Sequence, residues 1–403
     1  MEMMARDKKK GALVPRLRFP EFRDAGKWEM RYGNDLFDNI INKNQNFDLP
    51  ILAITQEYGA IPRSTIEYNV SVTEKSIENY KVVNIGDFII SLRSFQGGIE
   101  YSHFCGLCSP AYIILRKKVI LNDVFFKFFF KSEHLISRLN VNIEGLRDGK
   151  MITYKQFSEV LLPFPSPAEQ QRIADCLSSL EERIAAETNK LDALKDHKKG
   201  LLKQLFPAEG ETLPQLRFPE FRDAGEWVQK IISDVCSIST GKSNTQDKND
   251  DGIFPFYVRS AIIERSTKYL YDEEAILTVG DGVGTEKVYH YVNGKYDLHQ
   301  RVYRLFRFQN IDGKFLFYLF STFFYDRVSK MSAKNSVDSV RMDMIAKMPI
   351  SLPILPEEQR IADCLSSLDE LITAQTQKID LLKDHKKGLM QQLFPRIDEV
   401  LHE

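Results

Sequence analysis

The 403-residue sequence has no uncharged apolar run of about 18 residues, the least that reads as a membrane-spanning helix. Five cysteines are an odd and sparse set, which excludes a disulfide framework and fits free thiols in a reducing compartment. The basic start, MEMMARDKKKGALVPRL, lacks the apolar stretch of a signal peptide, so the expected location is the cytoplasm, with no membrane partner. Neither sign of charge is in excess, with 55 Lys+Arg against 56 Asp+Glu. That balance leaves nucleic acid open as a partner, because binding needs a basic face rather than a basic total. An apolar content of 43% excludes disordered and fibrous classes, and the length suits roughly two or three domains.

Catalytic signatures are also missing. No G-x-G-x-x-G and no G-x-x-x-x-G-K-[ST] occurs, so the glycine turn Gly280-Asp281-Gly282-Val283-Gly284 cradles neither a dinucleotide nor a nucleoside triphosphate. There is no Asn/Asp-Pro-Pro-aromatic methyltransferase motif. Cys105 and Cys108 form a lone C-x-x-C without a second pair, and the seven histidines show no H-x-x-x-H spacing, so no metal site is expected. His197 and His385 recur within Lys-Asp-His-Lys-Lys, which reads as a solvated helix face. A binding or scaffolding role gains by elimination.

What is present is a tandem duplication. PRLRFPEFRDAGKW (15–28) returns as PQLRFPEFRDAGEW (214–227), 199 residues later, and holds both tryptophans of the chain. The segment EQQRIADCLSSLEERIAAETNKLDALKDHKKGLLKQLFP from Glu169 returns from Glu357, displaced by 188. Two dissimilar segments of near-domain size lie between. The boundaries expected are 1–30, an N-terminal segment with the first motif; 31–160, the first variable domain; 161–207, a central conserved helix; 208–228, a linker with the second motif; 229–349, the second variable domain; and 350–403, the C-terminal conserved helix and tail.

The conserved segment carries a coiled-coil seam. Ile173, Leu177, Leu180, Ile184, Leu191, Leu194, Leu201 and Leu205 alternate four and three apart once Glu187 and Lys198 are included. The copy places Ile361, Leu365, Leu368, Ile372, Ile379, Leu382, Leu389 and Leu393 at the matching positions, with Gln375 and Lys386 at the polar ones. Polar seam residues select register, so their recurrence favours the two helices as each other's partners. Ser166-Pro167-Ala168-Glu169 is a start signal, and Pro207 and Pro395 are stop signals, giving helices of about 38 residues and roughly 57 Å. Duplicated units tend to dock with pseudo-two-fold symmetry, which makes the pair antiparallel. Such a rod could address two DNA sites one or two turns of ~34 Å apart.

Both variable segments read as mixed α and β. Asp87–Ser91 and Glu274–Thr278 are strands running into glycine turns, Tyr112–Arg116 and Val302–Phe306 are strand-like, and 124–132 and 314–322 are buried, phenylalanine-rich helices. Their polar loops hold the side-chain types that read base edges and hold phosphates. In the first segment the candidates are Lys43, Asn44, Arg93, Ser94, Gln96, Arg147, Lys150, Tyr154 and Lys155. In the second they are Lys242, Asn244, Gln246, Arg259, Lys287, Gln300, Arg301, Lys334, Asn335 and Arg341. Residues 31–160 carry 15 Lys+Arg against 14 Asp+Glu, and 228–350 carry 17 against 15, so tight DNA binding by this chain alone is not expected.

The plan resembles the specificity subunit of Type I restriction-modification enzymes. The resemblance rests on LRFPEFRDAG before each variable segment, the strand-to-glycine turn within it, the EQ-x-R-I-A or EEQRIA start of each helix, and the K-K-G-L-x-x-x-L-F-P end. It covers nearly the whole chain. It implies an α+β fold of two target recognition domains, each followed by a long helix, with the helices paired as an antiparallel coiled coil. Each domain would read one half of a split, asymmetric sequence in double-stranded DNA. The implied partners are two modification subunits, adenine-N6 methyltransferases, and two ATP-dependent restriction subunits. S-adenosylmethionine, ATP and Mg would belong to those partners, with no cofactor held by this chain and no catalysis by it. An orphan scaffold that binds a modification subunit without productive DNA recognition is the alternative.

Overall fold

The computed structural model describes residues 13–42, 48–66, 77–92, 94–141, 152–208, 210–280, 288–331 and 340–395. The chain divides into two compact units, 1–188 with 378–403, and 189–377. Each unit therefore contains one variable domain and one end of each long helix. The division suits the antiparallel pairing expected from the duplication, each variable domain lying with the start of one long helix and the end of the other.

In the first unit the strands are β1 (Glu29–Tyr32), β2 (Phe37–Ile40), β3 (Leu52–Thr55), β4 (Gly59–Pro62), β5 (Lys81–Val83), β6 (Phe88–Ile90), β7 (Glu100–Tyr101), β8 (Gly106–Cys108), β9 (Ile113–Lys117) and β10 (Leu161–Phe164). Four of them form the antiparallel sheet β2-β9-β6-β7, and the rest pair as β3-β4, β5-β8 and β1-β10. The helix Asp123–Phe129 lies against this sheet, with Phe125, Phe126, Phe128, Phe129 and Phe130 buried together with Phe37, Phe88 and Phe157. Each such side chain contributes roughly 2–3 kcal/mol on burial. Asn122 starts the helix by accepting the Phe125 N–H at 2.9 Å. The expected glycine turn after β6 is instead a helical turn, Ser94–Gly97. Gly98 follows at φ +83°, where a Cβ would lie 2.2 Å from the Phe130 carbonyl oxygen, so only glycine fits.

In the second unit the strands are β11 (Val228–Ile231), β12 (Ser237–Thr240), β13 (Phe254–Tyr257), β14 (Ile263–Ser266), β15 (Tyr271–Val279), β16 (Tyr289–Leu298), β17 (Val302–Phe306) and β18 (Pro349–Leu352). Six form the sheet β12-β17-β15-β16-β13-β14, with β13 and β16 parallel and the other neighbours antiparallel. The helix Gly313–Met331 buries Phe315, Leu316, Leu319, Phe320, Phe324 and Val328, a stripe at helical spacing. β11 pairs with β18 as β1 pairs with β10. Residues 161–164 and 349–352, expected at the head of the helices and the end of the domain, are thus ribbon strands. A proline is tolerated there because the ribbon has only one partner strand.

The long helices span Pro167–Leu205 and Leu355–Leu393, 39 residues each. All sixteen apolar seam positions are buried or half-buried. In the first unit Lys386 meets Glu181 at 2.5 Å and Lys378 meets Glu187 at 2.5 Å. In the second, Lys198 meets Asp369 at 2.5 Å. In the first unit partner numbers rise on one helix as they fall on the other, so the pairing there is antiparallel. The domains dock alike. Trp28 stands edge-on to Phe125 and Trp227 to Phe315, and the Leu-Phe at each helix end completes the core, Phe394 in the first unit and Phe206 in the second.

Candidate nucleic-acid interface

In the second unit a belt of backbone hydrogen bonds gathers the loops that carry the candidate residues. Past β12, the Gly241 N–H donates to Val302 O at 3.1 Å, and the Lys242 and Ser243 N–H groups both reach Leu298 O. A Cβ at Gly241 would lie 2.2 Å from Leu298 O, so the crossing requires glycine. The Gln300 N–H returns to Ser243 O at 2.9 Å, and His299 N–H to Tyr257 O at 3.0 Å, which brings up the end of β13 and Arg259. Gly280 N–H donates to Arg301 O, and Val340 N–H to Gly280 O, which adds Arg341.

Below this belt Asp297 is fully buried. Its Oδ1 accepts the Ser243 hydroxyl at 2.6 Å and the Leu298 N–H at 2.8 Å, and its Oδ2 accepts the Ser266 hydroxyl at 3.1 Å. A buried carboxylate is tolerable only with its lone pairs engaged, and here they are spent on tying three segments together. His299 is also buried; its Nδ1 accepts the Arg301 N–H at 3.1 Å. Outward from these, Lys242, Gln246, Arg259, Gln300, Arg301 and Arg341 are exposed. Asn244 is half-buried, and its Oδ1 accepts a hydrogen bond from Gln300 Nε2 at 2.5 Å. The short 3-10 helix Thr245–Asp247 is fixed by the Asp247 carboxylate, which accepts the Asn244 N–H at 2.7 Å.

Seven candidates of the second segment therefore share one surface, while Lys287, Lys334 and Asn335 lie outside the described residues. The Asp297 network carries no nucleic-acid chemistry and was not singled out from the sequence. The signal for it is an aspartate at the end of an otherwise strand-forming run, Tyr296-Asp297-Leu298.

In the first unit Lys43, Asn44, Arg93, Arg147 and Lys150 lie outside the described residues. Ser94 is buried, and its hydroxyl accepts the Ser91 N–H at 2.8 Å, so it serves the turn. Tyr154 packs against the core, with its hydroxyl donating to Phe37 O at 3.0 Å. Both side chains are engaged within the fold rather than offered to a ligand. Gln96 and Lys155 are exposed, on separate elements. Cys108 is buried in β8, which pushes its thiol up to about 12, so that cysteine is not a ready thiolate at neutral pH.

The conserved motifs are fastened to the helices identically. Arg18 makes a two-pronged contact with Glu169, at 2.7 and 2.8 Å, and donates to Gly26 O. Arg217 does the same with Glu357, at 2.8 and 2.7 Å, and with Gly225 O. Leu17 N–H donates to Gln392 O, as Leu216 N–H does to Gln204 O, so each motif holds the start of one long helix and the end of the other.

Two variable domains of unlike sheet topology on one repeated helix-and-motif frame define a duplicated α+β protein. Comparison with known proteins places it further. The family described as Type I restriction modification DNA specificity domain matches residues 26–196 and again 224–384. The chain belongs to that family, whose members are the non-catalytic, DNA-recognising specificity subunits of Type I restriction-modification systems. It is 24% identical over 94% of its length to the Type I restriction enzyme MjaVIII specificity subunit of Methanocaldococcus jannaschii, covering 93% of that protein. It is 21% identical to the putative MjaX specificity subunit of the same organism, over 91% of this chain and 92% of the relative. In fold it matches the S subunit of the Type I restriction-modification system from M. genitalium, with TM-score 0.61 and 13% identity, over 95% of this chain and 99% of that one.

Proposed function

We propose that each variable domain reads one half of a split, asymmetric DNA target, and that the paired helices set the number of unread base pairs between the halves. The observation that carries this is the combination of identical fastening with unlike loops. The Arg18–Glu169 and Arg217–Glu357 contacts repeat, whereas Lys150 and Lys155 stand, at the displacement of 188, where Asp338 and Asp343 stand in the copy. A repeated frame presenting different chemistry suits two different half-sites. At 1.5 Å per residue a 39-residue helix runs about 58 Å, enough to separate sites by more than one turn of B-DNA.

The conserved regions would dock two modification subunits and, through them, two restriction subunits. S-adenosylmethionine, ATP and Mg would act in those partners, and the recognition domains would clamp the duplex while the partner takes its adenine out of the stack. Replacing residues 31–160 by the corresponding domain of another family member, and mapping methylated adenines, tests the modular reading. One half of the recognised sequence should change; a change in both halves would refute it. The near-balanced charge of both domains favours the alternative of an orphan scaffold, and a stable complex that methylates nothing would establish that instead.

A further inference from the structure

We infer that Gln300, oriented by Asn244, reads an adenine of the half-site recognised by the second domain, and that Asp297 is the positioning residue beneath it. This rests on the reading of the chain as a bipartite DNA specificity subunit. A glutamine side chain on a loop samples many rotamers, and ordering it on binding costs conformational entropy. Here the ordering is already built in. One N–H of the Gln300 amide is used by Asn244 Oδ1 at 2.5 Å, which restrains the amide. With Asn244 taking the N–H anti to Oε1, the other N–H and Oε1 of this exposed side chain stand side by side, a donor next to an acceptor. That pair complements the N7 acceptor and N6 donor that only adenine presents in the major groove.

The backbone supports the same reading. Gln300 N–H is held by Ser243 O, the Ser243 hydroxyl is clamped by buried Asp297, and Gly241 allows the closest approach of the two segments. An apolar residue at 297 would serve an ordinary strand end at lower cost than a buried carboxylate. The carboxylate is explained by what it holds, the loop bearing Asn244 against the loop bearing Gln300. Flanking Lys242, Arg259 and Arg301 supply cations at the rim, as phosphate contacts require.

The test uses the full chain assembled with its modification subunit and a duplex library randomised over both half-sites, with bound DNA sequenced. The wild-type complex should select one adenine strongly in the half-site that survives exchange of residues 31–160. Gln300→Ala should lose roughly 5- to 150-fold of discrimination at that position alone. Gln300→Glu should turn the preference there toward cytosine, whose N4 donor a carboxylate accepts. Asp297→Asn should lower discrimination at the same base pair while the preferences at the other positions of the second half-site persist, whereas a merely destabilising change would weaken that whole half-site. Unchanged preferences in Gln300→Ala, or weakening spread evenly over all sequences as a phosphate contact would give, overturns the inference while leaving the specificity-subunit reading intact. If that reading itself is wrong, the wild-type complex selects no split sequence at all.

Discussion

Arg18 grips Glu169 through Nε and Nη2, at 2.7 and 2.8 Å, with both side chains nearly excluded from water. This joins the first conserved motif to the start of the first long helix. Because removing one partner strands a buried charge, Arg18→Ala should cost about 2–3 kcal/mol, and Arg18→Lys, which lacks the fork, should recover less than half. Denaturant melts of the three proteins check this; equal stabilities would show the contact to be incidental.

Lys198 and Asp369 set helix register in the second unit, with the Tyr318 hydroxyl donating to the same carboxylate at 2.8 Å. Lys198→Glu should cost about 1–2 kcal/mol by placing like charges together, and Lys198→Glu combined with Asp369→Lys should recover most of it. A double-mutant cycle with no coupling would contradict the assignment.

Glu358 occupies the position of Gln170 in the first copy, and burial pushes its carboxyl up to about 7. The Asp312 N–H, donating at 2.7 Å, and the charge of Lys230 oppose that rise, while the charge of Asp312 adds to it. With the folded value above the ordinary 4.5, the stabilising contribution is complete below about 4.5 and is lost as pH rises through about 7. Glu358→Gln should therefore be more stable than wild type at pH 8 by about 1–2 kcal/mol, with little difference at pH 4.5. Parallel stability-against-pH curves for the two proteins would contradict this.

Adding one heptad to both long helices, after Glu187 and after Gln375, keeps the seam in phase and lengthens each by about 10.5 Å. The unread gap should widen by about three base pairs. A gap that stays fixed would show that the helices do not set it.

The helices were the most legible part of the sequence. Ser166-Pro167 and Phe206-Pro207 bracket the observed Pro167–Leu205 closely, because capping and breaking are local chemistry. That each unit draws one end from each helix is what the antiparallel pairing expected from the duplication implies; the particular contact pattern was not legible. It depends on pairs such as Glu181 and Lys386, 205 residues apart. At the interface, residue type found seven candidates that the fold gathers, since polar loop residues crowd the ends of strands. Type alone could not say that Ser94 and Tyr154 turn inward, nor that Asp297 would meet Ser243 and Ser266 across 54 and 31 residues.

Under the proposed function one chain reads two unlike half-sites at a fixed separation. Co-expression with a modification subunit, followed by genome-wide mapping of methylated adenines, addresses it most directly. A split motif with two different halves and one gap length is the expected result. A continuous motif, or two halves at variable spacing, would contradict it.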